Sequence, residues 1–151
     1  MGVPNPVLIL AIFAIGFDFF LKKMRCGRYC YAIGGNEIAA LYSGVAVNKM
    51  KWLYYSVSGL ASGLAGILYV ARFGVGQSTA GLGYELDVIA SAVIGGISLS
   101  GGRGSILGAI IGSILMGILR NGLVLLDVSA YWQQVAIGTV IILAVIIDTK
   151  K

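Results

Sequence analysis

The chain has 151 residues, 58% of them hydrophobic and 11% charged, with 23 glycines, no histidine and a formal charge of +5; its mean hydropathy is +0.94. Soluble domains carry about a quarter charged residues, so the composition excludes an ordinary water-soluble domain and indicates a membrane protein. The basic excess forms no stripe interleaved with aromatics, so no nucleic-acid partner is expected.

Charge-free apolar runs lie at Gly2–Phe17, Trp52–Ala71, Val88–Gly102, Gly104–Leu119 and Val128–Ile147. A spanning helix needs roughly 20 mostly apolar residues. The runs predict an all-α polytopic membrane protein with five segments, Pro6–Leu21, Trp52–Val70, Leu86–Leu99, Ser105–Leu126 and Tyr131–Ile147, one of them short or re-entrant. No basic region precedes the first run, so it reads as a retained helix and not as a cleaved leader.

Lys22, Lys23, Arg25, Arg28, Lys49 and Lys51 flank one polar loop over 22–51, and Lys150 and Lys151 end the chain. Lys and Arg concentrate on the cytoplasmic side, which predicts a cytoplasmic loop and a cytoplasmic C-terminus on one integral domain, residues 1–151. Arg103 then falls inside as well, whereas Arg72 and Arg120 fall outside, against the rule. Cys26 and Cys30 sit beside the loop, in a compartment where disulfides rarely persist, and read as reduced thiols. Two thiols without a histidine cannot complete a four-ligand zinc site, so neither a metal nor a cofactor is expected.

Within the loop, Gly27–Val45, "GRYCYAIGGNEIAALYSGV", is punctuated as a short independent helix. Gly34-Gly35 breaks the chain, Asn36 is a favoured N-cap, Glu37 puts negative charge at the positive helix end and Gly44 suits the C′ position. This predicts a helix over Glu37–Ser43, too short to persist in water without packing. Ile38, Leu41, Tyr42 and Val45 form an apolar stripe able to dock on the membrane helices, with Glu37, Ala40 and Gly44 as a small opposite face for a partner. A helix lying in the headgroup region fits the same spacing, and the residues alone leave both readings open.

Further along, Phe73–Gly83, "FGVGQSTAGLG", reads as an outer loop, and Tyr84–Gly102 is short for a span and ends in a glycine pair. Such glycine-interrupted segments mark irregular backbone that must be buried in protein or line a cavity. Gly59 with Gly63, and Gly104 with Gly108 and Gly112, recur every four residues and are read as packing seams, where small residues let helix backbones approach closely. Ser62 and Gly66 form a second small-residue row.

Gly96–Arg103 has glycines at phosphate-loop spacing, but Gly102 stands where the lysine must be, and Gly74, Gly76 and Gly81 miss the dinucleotide spacing. The six acids lie mostly near predicted helix ends, so enzyme chemistry is not expected. Glu85 and Asp87 open the short segment; they line a polar pathway, pair with Arg72, or are first-turn acids favoured by the helix dipole. Asn121 interrupts an apolar helix, where it can hydrogen-bond between helices or join Glu85 and Asp87 along a pathway, while Gln133 and Gln134 beside Tyr131 and Trp132 mark an interface belt.

Three stretches in order, Gly27–Val45, Leu86–Leu123 and "YWQQVAIGTVIILAVIID" at Tyr131–Asp148, resemble the C-terminal half of permease subunits of bacterial ABC importers for monosaccharides, of the ribose, xylose and autoinducer-2 type. The resemblance implies that Asn36–Gly44 is the cytoplasmic coupling helix, with Asn36, Glu37, Ala39, Ala40, Ser43 and Gly44 contacting a separate ATP-binding cassette ATPase. It also implies a periplasmic sugar-binding protein, a second permease subunit and the inner-membrane bilayer as partners, and inward transport by alternating access. Such permeases run to roughly twice this length, which suggests a fragment or split subunit and puts autonomous transport in question. Pro4 and Pro6 align with the beginning of a family helix. A branched-chain amino-acid permease subunit and a membrane fragment with no transport role are the alternative readings.

Overall fold

The computed structural model describes residues 5–149 apart from 78 and 80, with the side chains of 147–149 left aside. Lys150, Lys151, Pro4 and the side chain of Asp148, which entered the sequence reading, lie outside that set. Among the described residues the chain is all-helical: α1 (Asn5–Lys23), α2 (Arg25–Gly35), α3 (Glu37–Tyr42), α4 (Val47–Phe73), α5 (Tyr84–Ile94), α6 (Ile106–Leu125) and α7 (Ala130–Thr149). They pack as two compact units divided between Ala80 and Gly81.

Helices α1, α4 and α6 are long and apolar enough to cross a membrane, and Ala130–Ile146 of α7 is a shorter apolar helix. Length separates them sharply from α5, whose 11 residues rise about 16 Å, roughly half of a hydrocarbon core. The segment expected over Leu86–Leu99 is therefore not a continuous helix. It stops because Gly96 takes a left-handed φ of 81°, its N–H bonds to Val93 O at 2.9 Å, and Ile97 N–H reaches back to Ala92 O at 3.0 Å, closing a Schellman motif. Beyond it, Ser98 N–H donates to Arg103 O at 3.1 Å, and the chain re-enters a helix at Ser105, whose side chain accepts from Gly108 N–H at 3.0 Å.

In the first unit, α1 breaks at Met24, which is extended, and α2 folds back against it. The turn is possible because residue 27 is glycine: a Cβ there would overlap the backbone of Leu21. Tyr54 of α4 donates its hydroxyl to Cys26 O at 2.6 Å, fastening α4 to the first turn of α2. Helix α2 was missed in the sequence, where Gly34-Gly35 was read as a break. Both glycines are helical, and the break falls one residue later, at the extended Asn36.

In the second unit, Ala90 of α5, Met116 of α6 and Ile137 of α7 form the buried core, with Ile94 and Ile141 packed against it. The glycines of α6 set the spacing. A Cβ on Gly112 would strike Ser91 O, and one on Gly108 would strike Gly95 O. Gly104, expected as the third member of that row, lies before the helix at φ 158° and faces the Ile97 side chain instead. Gly59 and Gly63 of α4 form no seam in the first unit, since a Cβ on either meets nothing within 4 Å.

Candidate functional site

Two constellations merit a functional reading, one in each unit. The first is α3. Asn36 Oδ1 accepts from Ala39 N–H at 3.0 Å, the N-cap expected from the sequence. At the other end Gly44 adopts φ 84°; its N–H donates to Leu41 O at 3.0 Å and that of Val45 to Ala40 O at 3.1 Å. The helix ends at Tyr42, one residue earlier than expected, with Ser43 as C-cap and its hydroxyl donating to Ala39 O at 2.8 Å. Both ends of a six-residue helix are thus chemically closed, which offsets much of the nucleation cost that would melt it alone.

A contact with no sequence precedent fixes α3 to the start of α4. Lys51 Nζ reaches Glu37 Oε1 at 2.6 Å and Oε2 at 2.7 Å. The residues lie 14 positions apart, beyond the reach of a helix-spacing argument, so only the folded turn between α3 and α4 could reveal the pair.

The orientation of α3 reverses one expectation. Ala40, assigned to the outward contact face, is 5% exposed, whereas Ile38, Leu41 and Tyr42 of the apolar stripe are 67%, 58% and 86% exposed. A small side chain is what lets so short a helix sit close against α2 and α4, so Ala40 is the seat and the larger apolar residues point away. Asn36, Glu37, Ala39, Ser43 and Gly44 remain exposed. Cys30 of α2 is a free thiol, and burial raises its pKa above the usual thiol value, so it resists forming thiolate.

The second constellation spans α5 and α6. Asp87 and Glu85 stand in the first turn of α5, and Asp87 Oδ2 pairs with Arg120 Nη1 of α6. The partner named from the sequence was Arg72; the structure gives Asp87 to Arg120. The guanidinium also lies 5.3 Å from the Tyr84 ring centroid, a cation–π distance. These groups border a cleft of about 430 Å³ whose lining includes Ser91, Ser113 and Gly117. Glu85 and Asn121 do not line it, although each adjoins the site in sequence, and Asn121 is exposed. Among the described residues no three potential metal ligands cluster.

Helices long and apolar enough for a bilayer, a half-length helix closed by glycine turns, and extensive exposed apolar surface define a multi-pass α-helical membrane protein. The chain belongs to the family described as the branched-chain amino acid transport system / permease component, whose model matches residues 2–145. It is 52% identical over its full length to the ribose import permease protein RbsC of Escherichia coli strain K12 and 48% identical to RbsC of Bacillus subtilis strain 168, covering 47% of each. It is 46% identical over 99% of its length to the xylose transport system permease protein XylH of Haemophilus influenzae, covering 40% of that protein. The chain therefore spans about half the length of the curated relatives it matches. No solved structure matches it.

Proposed function

We propose that the chain is a membrane-spanning permease subunit of an ATP-driven importer, carrying a monosaccharide inward by alternating access. The observation that carries this reading is the end-to-end similarity to permeases named for ribose and xylose. In this reading α1, α4, α6 and α7 span the membrane, α5 with its glycine turns is a fifth, re-entrant segment, and the chain acts as one integral domain. The basic loop over 22–51 and the C-terminus lie in the cytoplasm.

Helix α3 is then the coupling helix, and the capped, exposed geometry supports that role. Its contact surface is Ile38, Leu41 and Tyr42, rimmed by Asn36, Glu37, Ala39, Ser43 and Gly44, while Ala40 seats the helix. An exposed apolar stripe rimmed by polar groups is the anatomy of a protein interface, and amphipathic helices dock in apolar grooves through such anchors. The Glu37–Lys51 pair ties α3 to α4, so a displacement of α3 by an ATP-binding cassette ATPase reaches a membrane helix directly. ATP hydrolysis belongs to that separate chain. A periplasmic sugar-binding protein, a second permease subunit and the bilayer complete the assembly.

The test is uptake of labelled ribose, xylose and leucine by cells expressing the chain with its companion subunits. Retention of a monosaccharide supports the reading. Retention of leucine alone would favour the amino-acid alternative suggested by the family description, and no ATP-dependent retention would favour a non-transporting fragment.

A further inference from the structure

The cleft between α5 and α6 is mostly apolar in lining, but the few polar groups at it, Asp87, Arg120, Ser91 and Ser113, have more hydrogen-bonding capacity than their own contacts use. Ionisable groups on membrane helices are costly unless paired or hydrated, and are found along solute pathways. Asp87 and Arg120 satisfy the first condition by pairing, yet their side chains remain 20% and 44% exposed. A guanidinium carries several donors and a carboxylate several acceptor sites, so a single contact leaves both partly free. Ser91 and Ser113 donate their hydroxyl protons to Val88 O and Ile110 O, each at 2.8 Å, which leaves their oxygens able to accept.

The site is also held in place. The close approaches of Gly112 to Ser91 and of Gly108 to Gly95 lock the two backbones together. Helical side chains lean toward their own N-terminus. Arg120 therefore reaches back along α6 while Asp87 leans toward the start of α5, and the two meet over the cleft without displacing either helix.

We propose that this cleft is a transit subsite for a monosaccharide, with Asp87 and Arg120 engaging neighbouring hydroxyls and the Tyr84 ring meeting the apolar face of the sugar. The proposal rests on the transport reading above. The cleft volume of about 430 Å³ lies in the range of small-molecule sites. The pair is neutral overall, which suits a neutral solute. Vicinal hydroxyls can bridge its unused donors and acceptors without separating the charges.

The test uses the intact transporter complex in lipid nanodiscs, with Cys26 and Cys30 replaced by serine and Gly117→Cys as reporter. A Cβ at Gly117 meets nothing within 4 Å, so the thiol enters the cleft without a clash. The labelling rate with a hydrophilic thiosulfonate is measured with and without ribose, xylose or leucine. The sugar that is transported is expected to slow labelling, and Arg120→Gln is expected to abolish that protection.

In parallel, Arg120→Lys, which keeps the charge and loses the planar fork, is expected to raise the uptake KM about tenfold, the scale of one charge-assisted hydrogen bond, with unchanged membrane abundance. Sugar uptake without protection overturns the subsite and leaves the transport reading standing. So does full recovery of uptake in the charge-exchanged double variant Asp87→Arg/Arg120→Asp, which would make the pair a clamp. Uptake and protection by leucine alone overturn the transport reading, and this subsite with it.

Discussion

Helices α4 and α6 carry the same small-residue spacing and put it to different uses. In α6, Gly108 and Gly112 face the α5 backbone so closely that no Cβ fits; in α4, Gly59 and Gly63 face open space within their unit. Spacing every four residues makes a close approach possible, but only a facing backbone makes it real. Helix α5 supplies that backbone for α6. The glycine face of α4 stays open within its unit, and the relatives are about twice as long as this chain.

The sharpest way to break this contrast is Gly112→Ala. One methyl group must displace the backbone at Ser91, a rigid obstacle, and overpacking of this kind costs about 1–3 kcal/mol. The expected result is a clear loss of thermal stability in detergent and of membrane abundance. Gly63→Ala should do the opposite, adding up to about 1 kcal/mol through helix propensity. A comparable loss at Gly63 in the intact complex would mean that α4 has found its own close partner there.

Within α3 the contrast is between seat and surface. Asn36→Ala removes the N-cap and should cost about 1 kcal/mol, read as faster amide exchange over residues 37–44 with membrane insertion unchanged. Lys51→Ala should cost less, about 0.2–1 kcal/mol, because both partners of the ion pair are substantially exposed and screened by salt; its effect should shrink as ionic strength rises. The smallest effect concerns the thiols. The raised pKa of Cys30 keeps it protonated at neutral pH, so its alkylation should accelerate only as pH climbs past the usual thiol range. Fast labelling of Cys30 at neutral pH would show that α2 opens away from its neighbours.

Local punctuation was legible in the sequence. Asn36 as N-cap and Gly44 at the helix end follow from backbone geometry that few other residues satisfy, and the long apolar runs of α1, α4 and α6 follow from composition. Facing direction was not legible. Spacing leaves the stripe of Ile38, Leu41 and Tyr42 free to dock on the membrane helices or to lie at the headgroups, whereas in the folded six-residue helix the small Ala40 permits the closer approach and takes the inside. Partners distant in sequence were equally hidden. The first-turn position of Asp87 is legible from spacing, but its partner is not: Arg72 is only one candidate in the sequence, whereas the antiparallel pairing of α5 with α6, fixed by Gly108 and Gly112, brings Arg120 to it. Helix α2 is hidden in the sequence because glycines at 34 and 35 read as breakers, although the first extended residue is Asn36.

In the proposed transporter the exposed apolar face of α3 meets an ATPase and not the lipid headgroups. Site-specific photocrosslinking in the assembled transporter decides between them, with a benzophenone amino acid placed in turn at the exposed Ile38 and Tyr42. ATPase adducts are expected from both Ile38 and Tyr42. Lipid adducts alone from Ile38 and Tyr42 would contradict that contact.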